Sequence, residues 1–284
     1  MTTFTPISLN DLPAHSPWPA RLLGLEPWKN VKRDNMKIDE EYVRGNYTRC
    51  LELYERARGA VSIEDLRAIE FGSDDPTVVV SHGDELALAK LSDAYEEYYR
   101  LIERSIAPHV EDGDTLVELG CGYGYNLALL KKRLATSLAF RGGEYARTAV
   151  ALAGTLFKDD DIRVEQFDFY SLNYPVIEQA SAPVVIFTAY AVEQIPDITN
   201  MFDVLSKNRS KIKAVIHVEP IYEFQATGLL GLLRRRYIEV CDYNRNLYTE
   251  LHRRSDIKID VCEQNIFGIN GLHPASVISW HFVS

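Results

Sequence analysis

Cysteine and positive charge are both scarce in this chain of 284 residues. The chain has four cysteines, namely Cys50, Cys121, Cys241 and Cys262. They form no C-x-x-C pair and no histidine cluster accompanies them, so we expect neither a disulfide framework nor a metal site. Lys and Arg number 31 against 41 acidic residues, for a net charge of −10. Because clustered basic residues supply affinity for nucleic acid, this balance argues against a nucleic-acid partner.

Long apolar segments are also missing. The sequence has no run of 18 apolar residues, so no membrane-spanning helix is predicted. The first six residues lack the basic and apolar regions of a signal peptide, and we therefore expect a cytoplasmic protein with no membrane partner. With 46% hydrophobic residues, the chain is long enough for one catalytic domain plus an additional segment.

The most informative segment runs from Asp114 to Asn126. Residues 115–119 have the apolar character of a buried strand, and glycines follow at positions 120, 122 and 124. A helical pattern begins directly after them. A strand that enters a helix through a glycine turn is suited to hold a nucleoside or nucleotide. The alternative is a turn that uses glycine only because its backbone needs a positive φ.

Two acidic residues accompany this turn. Glu118 lies two positions before Gly120, and Glu144 lies at the end of the next predicted strand, 24 positions after Gly120. This separation is close to the roughly 20 residues expected for a carboxylate that binds ribose hydroxyls. We therefore predict that Glu144 accepts hydrogen bonds from the ribose of a bound nucleoside.

With these residues the chain resembles the class I S-adenosylmethionine-dependent methyltransferases. Their first motif is an acid, any residue and then Gly-x-Gly-x-Gly, which matches Glu118, Gly120, Gly122 and Gly124. Dinucleotide-binding loops usually have the spacing G-x-G-x-x-G instead. The resemblance extends over about residues 105–284 and implies S-adenosyl-L-methionine as the cofactor, with the turn along its methionine part.

The resemblance also implies roles for residues farther along the chain. Asp168, near the end of the third strand, corresponds to the residue that meets the adenine amino group, although Asp is equally common as a loop cap. Thr188 ends the fourth strand and is assigned to the cofactor. The following segment, which includes Tyr190 and Glu193, corresponds to residues that contact donor and acceptor.

Strands and helices alternate after residue 114, which predicts a mainly parallel sheet in an α/β fold. The predicted strands are 115–119, 138–143, 162–167, 184–188 and 213–218, followed by an antiparallel pair at 258–263 and 275–283. A long helix is predicted over 229–254. The resemblance implies a Rossmann-like, doubly wound sheet of seven strands in the order 3-2-1-4-5-7-6, with the last strand antiparallel.

The first part of the chain is predicted to be a mainly helical extension or lid, over residues 1–104, before a methyltransferase domain at 105–284. Apolar residues at spacings of three and four predict helices over 38–58, 62–71 and 85–109. On the last of these, Tyr95 and Tyr99 share a face. They could pack in the core or form an aromatic lid over the substrate.

Methyl transfer needs positioning and, for some acceptors, a base that removes a proton. Tyr190 is a catalytic candidate after the fourth strand, and His217 and Glu219 are candidates at the end of the fifth. Strand alternation puts the latter two on one face, with Glu219 nearer the expected pocket. His217 could equally be a hydrogen-bonded core histidine.

Acidic and aromatic residues near the same strand ends are candidates for substrate binding. They are Glu193, Tyr222, Glu223, Tyr95 and Tyr99. Several carboxylates could bind a cationic acceptor, or they could be solvated loop residues.

The resulting prediction is a methyltransferase that acts on an oxygen or nitrogen of a small molecule or short peptide, in specialised metabolism; a homodimer is possible. One alternative is a nicotinamide-dependent reductase, which would lack the antiparallel terminal pair. The other is a non-catalytic nucleoside-binding scaffold, which would have an open, polar cleft.

Overall fold

The computed structural model describes residues 4–28, 47–57, 60–71, 74–181, 183–225 and 228–283. Within these ranges, ten strands form one sheet: β1 (Thr5–Ile7), β2 (Thr77–His82), β3 (Glu85–Lys90), β4 (Thr115–Leu119), β5 (Ala139–Glu144), β6 (Arg163–Gln166), β7 (Val184–Ala189), β8 (Ile212–Glu219), β9 (Ile257–Gly268) and β10 (Ala275–Phe282). The seven strands predicted after residue 114 are thus confirmed to within a few residues, except that β9 is longer.

The α-helices of the described ranges flank this sheet. They are α1 (Leu12–His15), α2 (Trp18–Leu22), α3 (Tyr47–Arg56), α4 (Ile63–Phe71), α5 (Leu91–Ile106), α6 (Tyr125–Arg133), α7 (Arg147–Leu156), α8 (Pro175–Glu178), α9 (Thr199–Lys207), α10 (Leu229–Val240) and α11 (Leu247–Arg253). Within the described residues, no helix combines the length and the apolar character that crossing a membrane requires.

The strands lie in the order β1-β3-β2-β9-β10-β8-β7-β4-β5-β6. Strands β4 to β8 pair in parallel, whereas β10 is antiparallel to both of its neighbours, β8 and β9. The prediction of a seven-stranded sheet was wrong, because β1, β3 and β2 extend the sheet beyond β9. Counted from β4, the other seven strands lie in the order 3-2-1-4-5-7-6.

The extra strands add to the predicted helical extension, in which the described residues form more helix than strand. Residues 85–90 form β3 and not the first turn of a helix, which begins only at Leu91. Their sequence, Glu-Leu-Ala-Leu-Ala-Lys, consists of good helix formers, but β3 pairs along its whole length with β2. Helix α4 confirms the helix predicted over 62–71. Residues 38–46 of the first predicted helix lie outside the described residues.

The predicted helix over 229–254 is in fact two helices, α10 and α11. Asp242 lies between them with φ +53°, a left-handed conformation that no helix interior adopts. The side chain of Asn244 accepts a hydrogen bond from the backbone N–H of Leu247 at 3.0 Å, at the start of α11. The turn therefore has its own stabilising contacts, which a charge and apolar pattern does not reveal.

Both faces of the parallel strands are covered, so that all five residues of β4 are buried. On one face, Tyr98, Ile102 and Ile106 of α5 belong to the same core as Leu116 and Phe187. The carboxyl ends of β4 to β8 meet at one edge of the sheet, which is where open α/β sheets bind ligands.

Candidate active site

The backbone of the turn after β4 strongly favours glycine. Gly120 has φ +79° and Gly122 has φ +55°. A Cβ atom on Gly120 would lie 2.4 Å from the Cβ atom of Ala191, and one on Gly122 would lie 2.8 Å from the Tyr47 hydroxyl. Gly124 is the left-handed residue that precedes α6. Glycine at these positions therefore lets neighbouring loops pack closely against the backbone of the turn. This close packing explains why glycine recurs at every second position.

Glu144, at the end of β5, is bound to this turn. Its Oε2 atom accepts a hydrogen bond from the Gly122 N–H at 2.7 Å, and its Oε1 atom accepts one from the Ala146 N–H at 2.7 Å. Burial raises the pKa of Glu144, and these hydrogen bonds oppose that increase. Each carboxylate oxygen can accept a further hydrogen bond, so the group is both fixed and able to bind hydroxyls.

A first cavity, of about 100 Å³, lies between the glycine turn and the loops after β5, β6 and β7. It is lined by Tyr47, Gly120, Glu144, Tyr145, Phe167, Asp168, Phe169, Tyr170, Tyr190, Ala191, Gln194 and Ile195. Asp168 is half-buried, and its Oδ1 atom accepts a hydrogen bond from the Tyr170 N–H at 2.8 Å. Asp168 is therefore a loop cap, as the alternative interpretation held, and it also lines this cavity.

A second cavity, of about 320 Å³, adjoins the first and shares Tyr47, Gly120 and Tyr190 with it. Its other lining residues are Arg67, Tyr95, Tyr98, Glu118, Cys121, Gly122, Tyr123, Tyr125, Asn126, Ala189, Ile269 and Asn270. Six of the residues that line this second cavity are tyrosines. The predicted cofactor residues Glu118, Gly120 and Gly122 thus lie where the two cavities meet or in the second one.

Tyr190 stands at the junction of the two cavities. It has φ +53°, a conformation that is uncommon for residues other than glycine and typical of functional sites. Its hydroxyl donates a hydrogen bond to the backbone oxygen of His273 at 2.7 Å, and its ring meets that of Tyr98 at a centroid distance of 5.3 Å. Burial raises the pKa of Tyr190 well above its usual value, so the phenol stays protonated at neutral pH.

Glu219 is not placed in either cavity, contrary to the prediction of a catalytic contact. Its carboxylate accepts hydrogen bonds from three successive backbone N–H groups, those of Ala191 and Val192 at 3.0 Å and that of Glu193 at 3.3 Å. The side chain is fully buried, and this burial, followed by the nearby Glu193, raises its pKa to about 8. Glu219 therefore holds the loop that carries Tyr190.

His217 and Thr188 are likewise placed in the core and away from both cavities. The Nδ1 atom of His217 is 2.9 Å from the Thr188 hydroxyl, and Nε2 accepts a hydrogen bond from the Trp280 indole at 3.1 Å. Burial lowers the pKa of His217 to about 3, so the ring is neutral. The alternative of a hydrogen-bonded core histidine is the correct one, and both nitrogens are occupied.

The predicted acidic substrate residues do not converge on the second cavity. Glu193 is buried and bound to the imidazole of His273. Tyr222 donates a hydrogen bond to Glu239 at 3.0 Å, and Glu223 accepts one from the Thr249 N–H at 3.0 Å. The side chains of Glu193, Tyr222 and Glu223 therefore stabilise α10, α11 and the loops beside them. Among the described residues they do not form the predicted acidic pocket for a cationic acceptor.

The two tyrosines of α5 have different places. Tyr95 lines the second cavity, whereas Tyr99 is buried and its hydroxyl accepts a hydrogen bond from the Nε atom of Arg67 at 2.7 Å. Sequence reasoning missed Arg67, because it lies on a helix without a motif. It also missed Asn126, whose Nδ2 atom donates to Glu118 at 2.7 Å. The position of Asn126 in the first turn of α6, where side chains face the strand end, was the available signal.

Comparison with known proteins gives matches among solved structures alone, since no family model and no curated protein matches the sequence. A mutant of MtNAS has 14% identity and a TM-score of 0.52, over 87% of this chain and 75% of that one. MtNAS in complex with MTA and tNA has 13% identity and a TM-score of 0.50, over 84% and 70%.

Geranyl diphosphate C-methyltransferase from Streptomyces coelicolor A3(2), solved with S-adenosyl-L-homocysteine, has 13% identity and a TM-score of 0.47, over 68% of this chain and 84% of that one. At these identities the two matches to MtNAS show a shared fold and not a shared function. Strands β4 to β10 have the order that the resemblance to the class I S-adenosylmethionine-dependent methyltransferases implies, so the chain has an α/β fold of that kind.

Proposed function

We propose that this protein is a methyltransferase that uses S-adenosyl-L-methionine and acts on an oxygen or nitrogen of a small molecule or short peptide, in specialised metabolism. The observation that carries the proposal is the pair of adjoining cavities at the carboxyl ends of the parallel strands, which meet at Gly120 and Tyr190. One cavity has the groups that a nucleoside needs, and the other has room for an acceptor.

The residues of the first cavity fit the adenosine part of this cofactor. Glu144 is held by two backbone N–H groups and keeps acceptor capacity for ribose hydroxyls, and Asp168 lines the same cavity. Apolar and aromatic side chains such as Phe169 and Ile195 complete the wall for the adenine ring. When bound, the cofactor supplies an electrophilic methyl group on a sulfonium.

The contribution of the protein at the junction is positioning and exclusion of water. The rings of Tyr98 and Tyr190 pack edge to face there, and the hydroxyl of Tyr190 is bound to the loop between β9 and β10. Because the pKa of Tyr190 lies well above its usual value, we assign it a positioning role and not that of a base. Orientation of this kind can supply most of the acceleration of a displacement reaction.

Two observations favour this function over the alternatives. The antiparallel pair of β9 and β10 is present beside β8, which argues against the nicotinamide-dependent reductase. Six tyrosines line the second cavity, which favours an acceptor pocket over a scaffold without one. The cytoplasmic location and the homodimer stay predictions from the sequence.

Calorimetric titration of the purified protein with S-adenosylhomocysteine, NADH and NADPH tests the proposal. We expect micromolar binding of S-adenosylhomocysteine and none of the dinucleotides. The absence of S-adenosylhomocysteine binding would contradict the proposed donor. A positive result leads to acceptor screening with methyl-labelled S-adenosylmethionine, first with hydroxylated and amine-bearing small molecules and short peptides.

A further inference from the structure

A buried pair of side chains joins two loops that line different cavities. The β7 loop (residues 190–195) lines the first cavity, and the β9–β10 loop (residues 269–274) lines the second. Glu193 of the β7 loop is bound to the imidazole of His273 in the β9–β10 loop, and both side chains are buried. Neither of them lines a cavity, so direct contact with a ligand does not explain the pair.

The pair belongs to a continuous chain of contacts from one cavity to the other. Gln194 lines the first cavity, and its Nε2 atom donates a hydrogen bond to Oε1 of Glu193 at 2.6 Å. The other carboxyl oxygen of Glu193 is bound to the Nε2 atom of His273. The backbone N–H of His273 donates to the backbone oxygen of Asn270 at 2.9 Å, and Asn270 lines the second cavity. These hydrogen bonds connect the wall of one cavity with the wall of the other.

A second contact joins the same loops at Tyr190. This residue has φ +53°, and its hydroxyl donates a hydrogen bond to the backbone oxygen of His273 at 2.7 Å. A residue other than glycine is strained in this conformation, which persists only where the surrounding contacts fix it. His273 therefore holds the β7 loop twice, through its ring at Glu193 and through its backbone oxygen at Tyr190.

Aromatic rings fix the imidazole of His273 as well. It stacks on the ring of Tyr243 at a centroid distance of 5.0 Å and an interplanar angle of 24°, and the ring of Tyr237 lies 5.0 Å away. The Nδ1 atom of His273 is buried and has no hydrogen-bond partner among the described residues. Within this part of the chain, the hydrogen bond that orients the imidazole is therefore the one with Glu193.

We propose that Glu193 and His273 are positioning residues that couple the two cavities, so that a ligand in the first cavity fixes the β9–β10 loop and with it part of the acceptor wall. The inference rests on the proposed function, which places the nucleoside of the donor in the cavity that Gln194 lines. Methyl transfer requires donor and acceptor to be held in line, and two loops that are fixed together favour that arrangement. Because such coupling is reciprocal, an acceptor in the second cavity would also tighten the binding of the donor.

Hydrogen exchange of the β9–β10 loop measures this coupling without a known acceptor. The backbone N–H groups of Gly271 and His273 are hydrogen-bonded, so their exchange reports the opening of this loop. In the wild type, saturation with S-adenosylhomocysteine should slow their exchange about fivefold or more relative to the amides of α9, as coupled sites do. Helix α9 lines neither cavity, so its amides report the overall stabilisation by the ligand.

His273→Phe is the variant that removes the pair. Phenylalanine keeps an aromatic ring beside Tyr237 and Tyr243 and leaves the backbone oxygen for Tyr190, but it cannot form a hydrogen bond with Glu193. The variant should still bind S-adenosylhomocysteine, whereas exchange of the β9–β10 loop should no longer respond to the ligand. If His273→Phe does not fold, Glu193→Met removes the same contact from the β7 loop.

Two further variants separate coupling from support of the fold. Glu193→Gln keeps a hydrogen-bonding group for the imidazole and should retain most of the response. His281→Phe is the matched control, because His281 of β10 pairs with the carboxylate of Asp260 on β9 at 2.6 Å and lines neither cavity. Its response to S-adenosylhomocysteine should equal that of the wild type.

The possible results distinguish the coupling from a purely structural pair. A structural pair would give faster exchange of the β9–β10 loop in free His273→Phe but an undiminished effect of S-adenosylhomocysteine, and that result would overturn the proposal. A wild type that binds S-adenosylhomocysteine without slower exchange in this loop would overturn it too. If S-adenosylhomocysteine does not bind the wild type, the proposed function fails first.

Discussion

At the scale of single residues, Glu144 combines two tasks. It fixes the glycine turn through Gly122 and presents its remaining acceptor capacity to the first cavity. We expect Glu144→Ala to weaken the binding of S-adenosylhomocysteine by about 1–3 kcal/mol, as for the loss of a buried charged acceptor. Calorimetry measures this, with Glu165→Ala as the control, since Glu165 on β6 pairs with Arg141 on β5 and lines neither cavity. Unchanged affinity would remove Glu144 from the ribose site.

Gly122 allows a test of the turn itself. An alanine there would need a positive φ and would bring its Cβ atom to 2.8 Å from the Tyr47 hydroxyl. We expect Gly122→Ala to weaken binding of S-adenosylhomocysteine about tenfold or more through this strain and displacement. Gly154→Ala is the matched control, because a Cβ atom at Gly154 meets nothing within 4 Å. Equal binding by the two variants would show that the turn is not at the ligand.

His217 makes a prediction about pH and stability. Its pKa is lowered to about 3 by burial, from an unfolded value of about 6.5. The unfolded chain therefore binds this proton more readily, and the stabilisation is complete above pH 6.5 and is lost as the pH falls toward 3. Between pH 7 and pH 5, the free energy of unfolding measured by urea denaturation should fall less for His217→Gln than for the wild type. The amide of glutamine can form hydrogen bonds with Thr188 and Trp280 in a similar way but cannot become charged. Equal losses would contradict the assignment.

The sequence was a good guide to some of these residues and a poor one to others. Glu144 and Gly122 were predictable because a fixed spacing from a strand end determines where they lie. His217 and Glu219 were assigned to the correct face of β8, but alternation along a strand gives a direction and not a partner. The Trp280 indole and the loop amides that occupy these two groups come from distant parts of the chain.

At the scale of elements, the loop from Tyr190 to Gln194 depends on Glu219. Three backbone N–H groups would lose their acceptor in Glu219→Ala, and we expect the free energy of unfolding to fall by roughly 3 kcal/mol. Urea denaturation measures this, with Glu263→Ala as the control, since Glu263 is an exposed residue of β9. Glu219→Gln should lose less. Unchanged stability together with lost turnover would return Glu219 to a catalytic role.

Helices and strands were predicted best where the pattern of apolar residues fits only one kind of secondary structure. Strand β4 is apolar throughout because it is buried on both faces, and its bounds were found without error. Strand β3 was missed because its residues favour a helix when isolated, and only pairing with β1 and β2 makes them extended. Helices α10 and α11 were merged because the left-handed Asp242 has no signature in a single sequence.

At the scale of the whole molecule, the sheet continues across the boundary predicted at residues 104 and 105. Strand β2 pairs with β9, and α5 shares its core with β4 and β7. We propose that both regions unfold as one unit, and expect coincident transitions by far-ultraviolet circular dichroism and by the fluorescence of Trp18 and Trp28 in a Trp280→Phe variant. Separate transitions would support two domains.

The two outermost strands of the described sheet have a consequence for crowded solutions. Strand β1 has three residues, one of them Pro6, and β6 has four. An edge strand this short offers few backbone groups with which another chain could pair. In β1, Pro6 also lacks the N–H donor. The molecule should therefore resist edge-to-edge aggregation at high concentration.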